Sequence, residues 1–406
     1  MKLKTLTTAM ILATVPMTGA FAAALDRSGQ SISAFLQPGN YFEAGISVLD
    51  PNVSGKVRNG YTPNAALPAS SAGLQNTSVG EMAGDYYFPS AALKLQVTDN
   101  FSFGLIYDQP FGAEAEYSTG TQKTTALPGP LAPLGNQGAF HNGTEGTSVE
   151  VKSQSISMIF GYQPTENFNF YAGPVYQTIE GDVQLRGLAY GGSATFGGYN
   201  ASIKETGDIG WLAGAAFQIP DIALKASVTY RSEIEHSVNV KESFNSAGLF
   251  AGLNAAPSLN TDITTPQSVN LDFQTGIMAN TVAFANVRWV DWSNFSIQPY
   301  KFGIASKNAI VQGQTGKPEF DLVAYTDDQI SATVGVGRKL NDQWAGNVSV
   351  GWDSGAGNPV TTLGPTEGYW NLGLGAQFSP TPQTFIAGGV KYFWLGDAKA
   401  QSAAQF

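Results

Sequence analysis

The sequence predicts an all-β chain folded as a transmembrane antiparallel β-barrel, and three observations predict that class. Segments of about ten residues alternate between apolar and polar side chains, as residues 224–231 do, and a period of two indicates a strand. The polar face of such a strand is too polar for a soluble core, but it suits a wall with lipid outside and a polar lumen inside. Short turns and long loops alternate along the chain, as in barrels with periplasmic turns and external loops.

Composition excludes several other classes. The 406 residues include no cysteine, which excludes disulfides, thiol nucleophiles and cysteine-type metal sites. Only 13% of residues are charged, against about 25% in soluble proteins. A formal net charge of −10 argues against nucleic acid as a partner, because its phosphates require a basic surface. We also expect no transmembrane helix, since no run of about 18 apolar residues follows the N-terminus. No cofactor and no metal are expected either.

Residues 1–23 are predicted to be a signal peptide. Lys2 and Lys4 form its basic end, a short apolar stretch follows, and Ala20-Phe21-Ala22 offers a small-x-small pattern for cleavage after Ala22. An exported chain with alternating strands, no cysteine and no transmembrane helix is expected in a Gram-negative outer membrane. Residues 24–40 are short, polar and irregular, and their composition allows either a small hatch inside the barrel or a disordered leader.

Residues 41–406 are predicted to form the barrel, with about thirteen recognisable strands. In strand four the apolar set changes from odd positions (Val149, Val151) to even positions (Ile156, Met158), and this change of phase predicts a β-bulge. Tryptophan and tyrosine lie mostly at strand ends, as interfacial girdles require. The predicted strands lie near residues 41–49, 88–97, 101–117, 149–162, from 168 onward, in the hairpin 207–236, and near 269–274, 285–289, 330–338, 344–353, 370–378 and 386–394.

The strand count is odd, whereas bacterial single-chain barrels have an even number of strands. Residues 397–406 do not alternate, so a closing strand is missing from the pattern. Either the chain is truncated near its C-terminus, which we favour, or residues 297–328 contain an unrecognised strand.

Two loops carry apolar side chains among glycines. Exposed apolar patches usually have a use, so these loops could form an external groove that captures an apolar ligand. The alternative is loop-on-loop packing that closes the top of the barrel. The side chains are Leu188, Tyr190 and Phe196 in the first loop and Phe244, Leu249, Phe250 and Leu253 in the second.

Several cations face the predicted lumen, where one could bind a ligand carboxylate through a charge-assisted hydrogen bond. For any single cation, pairing with lumen acids such as Asp108 and Asp272 is the favoured alternative. Arg231 is the first candidate and Arg288 the second. The inward-facing cations are Lys94, Lys225, Arg231, Arg288 and Lys391.

Gly104, in the middle of strand three, could mark a kink that opens the wall, because glycine in a strand often marks a bend. Ordinary lumen packing is the equally open alternative. Nothing marks an enzyme: His141 and His236 have no recognisable nucleophile beside them, and no phosphate-binding loop or metal cluster appears in the sequence.

Several motifs, in order along the chain, resemble the FadL-like family of outer-membrane transporters of long-chain fatty acids and aromatic hydrocarbons. The strongest is the hairpin from Gly207-Asp208 to Tyr230-Arg231-Ser232-Glu233-Ile234 and His236. Further matches are Leu49-Asp50-Pro51-Asn52-Val53-Ser54-Gly55, Pro89, Pro110-Phe111-Gly112, Trp289 with Trp292-Ser293-Asn294-Phe295, and Tyr392 with Trp394-Leu395-Gly396-Asp397-Ala398.

The resemblance implies a fourteen-stranded barrel with an internal hatch and a lateral opening in its wall. It implies passive uptake of a hydrophobic small molecule, long-chain fatty acids first, from the external groove to an inner pocket and then sideways into the membrane. Family hatches reach that pocket, a role that would fall here to Leu25, Asp26 and Arg27. Outer-membrane lipid is then a partner, and we expect a monomer.

Two other functions stay open. One is a monoaromatic hydrocarbon channel of the same family, and the other is a surface adhesin or structural barrel. The hatch departs from the family pattern, because it is short and has Gln37-Pro38-Gly39 where the family carries Asn-Pro-Ala. This departure bears on gating and on the class of ligand.

Overall fold

The computed structural model describes residues 24–59, 73–120, 122–126, 132 and 135–402. The predicted signal peptide, residues 1–23, lies outside the described residues. Twenty-four strands and two short α-helices account for most of the described chain. None of its helices combines the length and the apolar character needed to cross a membrane.

The strands are β1 Tyr41–Leu49, β2 Ser54–Lys56, β3 Ser78–Glu81, β4 Tyr86–Gln96, β5 Phe101–Asp108, β6 Gly112–Glu116, β7 Thr125–Ala126, β8 Asn136–Gln137, β9 Ser148–Thr165, β10 Phe168–Gln184, β11 Asn200–Ile219, β12 Leu224–Arg231, β13 Ile234–Ser243, β14 Asn260–Thr265, β15 Ser268–Met278, β16 Thr281–Val290, β17 Ser296–Ile297, β18 Val323–Ala324, β19 Gln329–Lys339, β20 Trp344–Asp353, β21 Val360–Thr361, β22 Glu367–Thr381, β23 Thr384–Gly396 and β24 Ala400–Gln401. The helices are α1 Tyr300–Ser306 and α2 Ala309–Thr315, with 3-10 turns at Leu188–Tyr190, Phe196–Gly198, Pro220–Ile222 and Ala251–Ala255.

Sixteen strands form one large sheet, which confirms the predicted all-β antiparallel fold. Thirteen follow one another as hydrogen-bonded neighbours in the order β1-β4-β5-β9-β10-β11-β12-β15-β16-β19-β20-β22-β23. The other three are continuations: β6 prolongs β5, β13 prolongs β12, and β14 leads into β15. Residues 297–328 form α1, α2 and the small β17–β18 pair, so the predicted alternative of a barrel strand there is wrong.

The first and last strands of this path lie side by side. The rings of Tyr41 on β1 and Phe385 on β23 stack with centroids 6.3 Å apart, so the sheet curls round into a barrel. With thirteen strands the two ends run in the same direction, and in the described part of the chain no ladder joins them.

The outer surface of the barrel is apolar over a band about eight residues tall. On β10 this band runs from Phe168 to Tyr176, and on β22 from Phe378 to Trp370, with aromatic rings at both ends, of which that of Phe378 is partly buried. Eight residues of strand span about 26 Å, close to the apolar thickness that a transmembrane barrel presents to lipid.

The β-bulge predicted in strand four is absent between Val151 and Ile156. Along β9 the odd residues Val149 to Gly161 face inward and the even residues face outward without interruption. Ile156 and Met158 are apolar because lipid lies outside them, whereas Val149 is apolar because the barrel mouth above the membrane has an apolar interior. The apolar face changes side because the surroundings change, while the strand stays regular.

Candidate functional site

Residues 24–39 fill the inside of the barrel below the mouth. Ile32 and Phe35 are fully buried and belong to one apolar cluster with the wall residues Tyr171 and Leu212. The Phe35 and Tyr171 rings meet edge to face, with centroids 5.7 Å apart. We call residues 24–39 the hatch.

Gly104 lies in an unbroken ladder, paired with Lys94 on one side and Ile159 on the other, so the predicted kink does not occur there. A Cβ atom built on Gly104 would be 2.5 Å from Phe35 Cδ2, and one built on Gly161 would be 2.7 Å from Phe35 Cζ. These two glycines on adjacent strands leave room for the Phe35 ring against the wall, and we call them the Phe35 seat. Gly104 thus serves ordinary lumen packing, the alternative to the predicted kink.

Arg288 is engaged by the hatch and is not free for a ligand. Its Nε and Nη2 donate to the two carboxylate oxygens of Asp26 at 2.8 and 3.0 Å, and Nη1 donates to Asn270 Oδ1 at 2.7 Å. Both charged side chains are almost completely buried. A buried pair with this many hydrogen bonds fixes the start of the hatch against the wall.

Two lysines hold the other end of the hatch. Lys225 Nζ donates to the carbonyl oxygen of Leu36 at 2.9 Å, and Lys94 Nζ donates to that of Gln37 at 2.5 Å. The predicted lumen cation Lys225 therefore contacts hatch backbone.

Arg231 differs from these cations. Its side chain is 4% exposed, and its Nη1 has no hydrogen-bond partner among the described residues. Asp108 attracts it electrostatically, but that carboxylate already accepts a 2.7 Å hydrogen bond from Ser28 of the hatch. A buried guanidinium nitrogen without a partner is costly, so this atom is the place in the lumen where an added acceptor would be most stabilising.

A cavity of about 200 Å³ lies between the hatch and the wall, lined by both polar and apolar side chains. Charged side chains line it on opposite sides, among them Lys225, Asp272 and Lys391. An apolar molecule in this cavity would therefore lie beside charged groups as well as apolar ones.

The wall has a break in strand three, five residues after Gly104. The ladder between β4 and β5 ends at the pair Ala91–Tyr107, and the strand resumes as β6 only at Gly112. Pro89 and Pro110 flank the break, and proline has no N–H to donate to a ladder. The prolines are the sequence signal that could have located this opening.

The start of the hatch fills this break. Arg27 N donates to Pro110 O at 2.7 Å, and Gly112 N donates to Leu25 O at 2.8 Å, so the hatch adds a short strand where the wall lacks one. The Arg27 guanidinium lies 3.7 Å from the centroid of the Tyr86 ring. The three residues predicted to reach an inner pocket, Leu25, Asp26 and Arg27, therefore lie together, but they lie in the barrel wall.

Most of the predicted groove residues lie in the apolar core of the mouth. Tyr190, Phe196, Phe244 and Phe250 are buried in one cluster, whereas Leu188 belongs to a separate one. The Phe196 ring alone packs against four others, those of Phe244, Phe250, Phe302 and Phe320.

This packing replaces the predicted open groove. Leu253 packs partly buried against the mouth cluster, and Leu249 is 44% exposed, which makes it the outward edge of the set. The cluster is fastened by Glu242, whose carboxylate accepts hydrogen bonds from the Tyr199 hydroxyl and from the backbone N–H groups of Lys301 and Phe302, each at 2.8 Å. The predictions from sequence missed this carboxylate.

Comparison with known proteins gives a consistent picture. Residues 135–405 match the family model described as outer membrane protein transport protein (OMPP1/FadL/TodX). No curated protein sequence matches the chain.

Solved structures with a similar fold include a Pseudomonas aeruginosa FadL homologue, 17% identical, with a TM-score of 0.55, covering 88% of this chain and 81% of that one. The Pseudomonas putida toluene transporter TodX is 12% identical, with a TM-score of 0.53, covering 93% and 91%. The Ralstonia pickettii toluene transporter TbuX is 12% identical, with a TM-score of 0.51, covering 92% and 90%. At these identities the likeness concerns the fold.

Proposed function

The chain belongs to the OMPP1/FadL/TodX family of outer membrane transport proteins, and on that premise we propose that it is a monomeric outer-membrane channel for passive uptake of hydrophobic molecules, long-chain fatty acids first. The ligand is captured at the loops, passes the apolar mouth, and leaves sideways into the membrane through the break in strand three.

The observation that carries this proposal is the wall break filled by Leu25, Asp26 and Arg27. This segment substitutes for a missing piece of wall and is held there by two backbone hydrogen bonds, the Asp26–Arg288 ion pair and the contact of Arg27 with the Tyr86 ring. Its displacement would open the wall and break none of the ladders between the barrel strands. Lateral release also follows from energetics. An acyl chain gains about 0.8 kcal/mol for each CH₂ that it buries, so membrane lipid is a favourable exit and the polar lumen is not.

Capture is assigned to the outward edge of the mouth cluster, where Leu249 is exposed and Leu253 is half-buried. Ligand entering there would have to part rings that now pack on each other, beginning with Phe250. The mouth cluster thus serves as a closed form of the predicted groove.

Arg231 supports a carboxylated ligand. A fatty acid carboxylate placed at its unpartnered Nη1 would supply the missing acceptor and a balancing charge. A monoaromatic hydrocarbon, the second candidate, would use the same apolar mouth but would gain nothing from Arg231.

Uptake of radiolabelled oleate and toluene by cells carrying Arg231→Ala tests the proposal. We expect oleate uptake to fall and toluene uptake to change little. Arg338→Ala is the matched control, because Arg338 is exposed at the end of β19. Equal losses for both ligands would make Arg231 structural and remove its support for a carboxylated ligand. If the wild-type chain takes up neither ligand, a surface adhesin or structural barrel becomes the better explanation.

A further inference from the structure

A second break in the wall lies between β11 and the β12–β13 strand, away from the break in strand three. The ladder is regular up to the pair Leu212–Arg231, and it resumes at Ile203–Val240. Eight residues on each strand, 204–211 and 232–239, separate these two pairs. At the lower edge Ser232 N donates to Trp211 O at 2.9 Å, and above that bond the two strands form no ladder.

The cause is a mismatch of phase between the strands. In β11 the register against β10 shifts between Ile203 and Thr206, so one extra residue is accommodated there. Below that point the inward residues of β11 are even-numbered, such as Gly210 and Leu212, whereas above it they are odd-numbered, such as Ala201.

The neighbouring strand has its own irregularity at the opposite end of the gap. Arg231 faces inward at the end of β12, and the next inward residue is Ile234 at the start of β13. Over this stretch an inward residue of β11 lies opposite an outward residue of the neighbouring strand. The buried Gly210, for example, lies opposite the exposed Glu233. Side chains on directly paired residues point to the same face, so no ladder can form over this stretch.

The neighbouring hairpin bends as one unit. Arg231 pairs with Ser268 and Ile234 pairs with Thr265, so β14–β15 carries a matching irregularity at Pro266-Gln267. The β12–β13 strand and the β14–β15 strand therefore keep a common register across the irregularity. The gap is thus built from two matched irregularities and does not arise from a frayed strand end.

The gap lies at the outer edge of the lipid-facing band. Ile209 and Trp211 border it on β11 and are 69% and 52% exposed on the outer surface. One apolar side chain closes it from within: a Cβ atom on Gly210 would be 2.5 Å from Ile234 Cγ1. Ile234 belongs to the apolar cluster around the hatch, and the residues behind it are Val238 and His236, both fully buried.

The charges around the gap are mostly negative. Four exposed carboxylates border it, against one bordering cation, Lys204. Such a border repels a carboxylate and leaves an uncharged molecule unaffected. The carboxylates belong to Glu205, Asp208, Glu233 and Glu235.

We propose that the gap between β11 and β13 is a second lateral opening, closed by Ile234, through which uncharged hydrophobic molecules pass between the outer leaflet and the barrel interior. This inference rests on the proposed transport function and adds a separate route to it. Uncharged hydrocarbons use the second opening, and fatty acid anions use the break in strand three.

A reversible cross-link tests the opening, since the chain has no cysteine of its own. Thr206→Cys with Ser237→Cys places one thiol on each side of the gap at equivalent positions, and a short reducible bis-maleimide joins them. The control pair is Ala215→Cys with Val228→Cys, which are direct partners in the intact ladder of the same strands. Mass spectrometry verifies the cross-link, and heat-modifiable migration on gels verifies the folded barrel.

We expect the gap cross-link to abolish most toluene uptake, reduction to restore it, and oleate uptake and the control pair to be unaffected. Ile234→Ala should raise toluene uptake above the wild-type rate, a gain that a purely structural role would not produce. Toluene uptake unchanged by a complete gap cross-link would overturn the second opening while leaving the transport function in place. Equal loss of oleate would overturn the separation by charge. Absence of uptake by the wild-type chain would refute the proposed function itself.

Discussion

Gly104→Ala should loosen the hatch without disturbing the wall. The added methyl group would lie 2.5 Å from Phe35 Cδ2 and 3.0 Å from Cε2, well inside van der Waals contact. Gly161 on the adjacent strand also approaches the ring closely, since a Cβ atom built there would lie 2.7 Å from Phe35 Cζ. We expect the ring to lift away from the wall and take the hatch with it.

The expected cost is that of overpacking a close-packed site, about 1–3 kcal/mol. A value of about 2 kcal/mol corresponds to roughly a 30-fold increase in the population of the displaced hatch, since 1.4 kcal/mol is a factor of ten. Ala34→Cys supplies the reporter, because Ala34 is buried beside Phe35 and the chain has no other cysteine. The rate at which a membrane-impermeant maleimide labels this thiol measures how often the hatch opens.

Gly388→Ala is the matched control, because a Cβ atom there meets nothing within 4 Å. Phe35→Leu added to Gly104→Ala should recover part of the loss, since a smaller side chain makes room for the methyl group. The two substitutions are then non-additive, as expected for residues in contact. A labelling rate that is the same in Gly104→Ala as in the wild type would show that the Phe35 seat does not hold the hatch.

Three further predictions concern the hatch anchor, the mouth and a loop. Asp26→Asn or Arg288→Met alone should each destabilise the hatch by about 3–5 kcal/mol by leaving one buried charge unpaired, and the double variant should cost less, as measured by the same thiol labelling. Leu249→Asp should slow oleate capture, and Leu340→Asp, exposed at a turn at the other end of the barrel, should not; equal rates for the two would remove capture at this edge. Burial lowers the pKa of His141, so below about pH 6.5 the unfolded loop binds more protons than the folded loop. The loop should therefore lose stability as the pH falls through that range. Its protease sensitivity at pH 5 and pH 8 measures this loss, and His141→Gln should abolish the difference.

The strands were predictable from sequence because alternation is a local property. The predicted segment 41–49 coincides with β1, whereas the predicted segment 88–97 begins two residues after β4 and ends one residue after it, since alternation is weak near Tyr86. The predicted bulge failed because alternation reports which face is apolar and leaves open whether lipid or protein covers it. Val149 and Ile156 lie on opposite faces of one regular strand.

The site was less predictable because its contacts join distant parts of the chain. Arg288 and Asp26 are 262 residues apart, and nothing near either residue announces the pair. Phe196 was recognised as part of an apolar loop, but α1 and Phe320, which cover it, lie more than 100 residues further on. Sequence identified which side chains mattered and left open whether each faced ligand or protein.

The change of apolar face along β9 recurs on its neighbours and bears on function. On β10 the outward Phe170 is apolar low in the barrel, and the inward Ile179 and Val183 are apolar in the mouth. The barrel therefore has a dry upper interior above a polar lumen that contains Lys225 and Asp272. A molecule that enters the dry part by its apolar surface would lose that gain if it continued down the polar lumen. From the mouth, the path that lowers its free energy leads through the wall into the membrane. Breaks in the wall at this level therefore matter more for transport than the width of the lumen below.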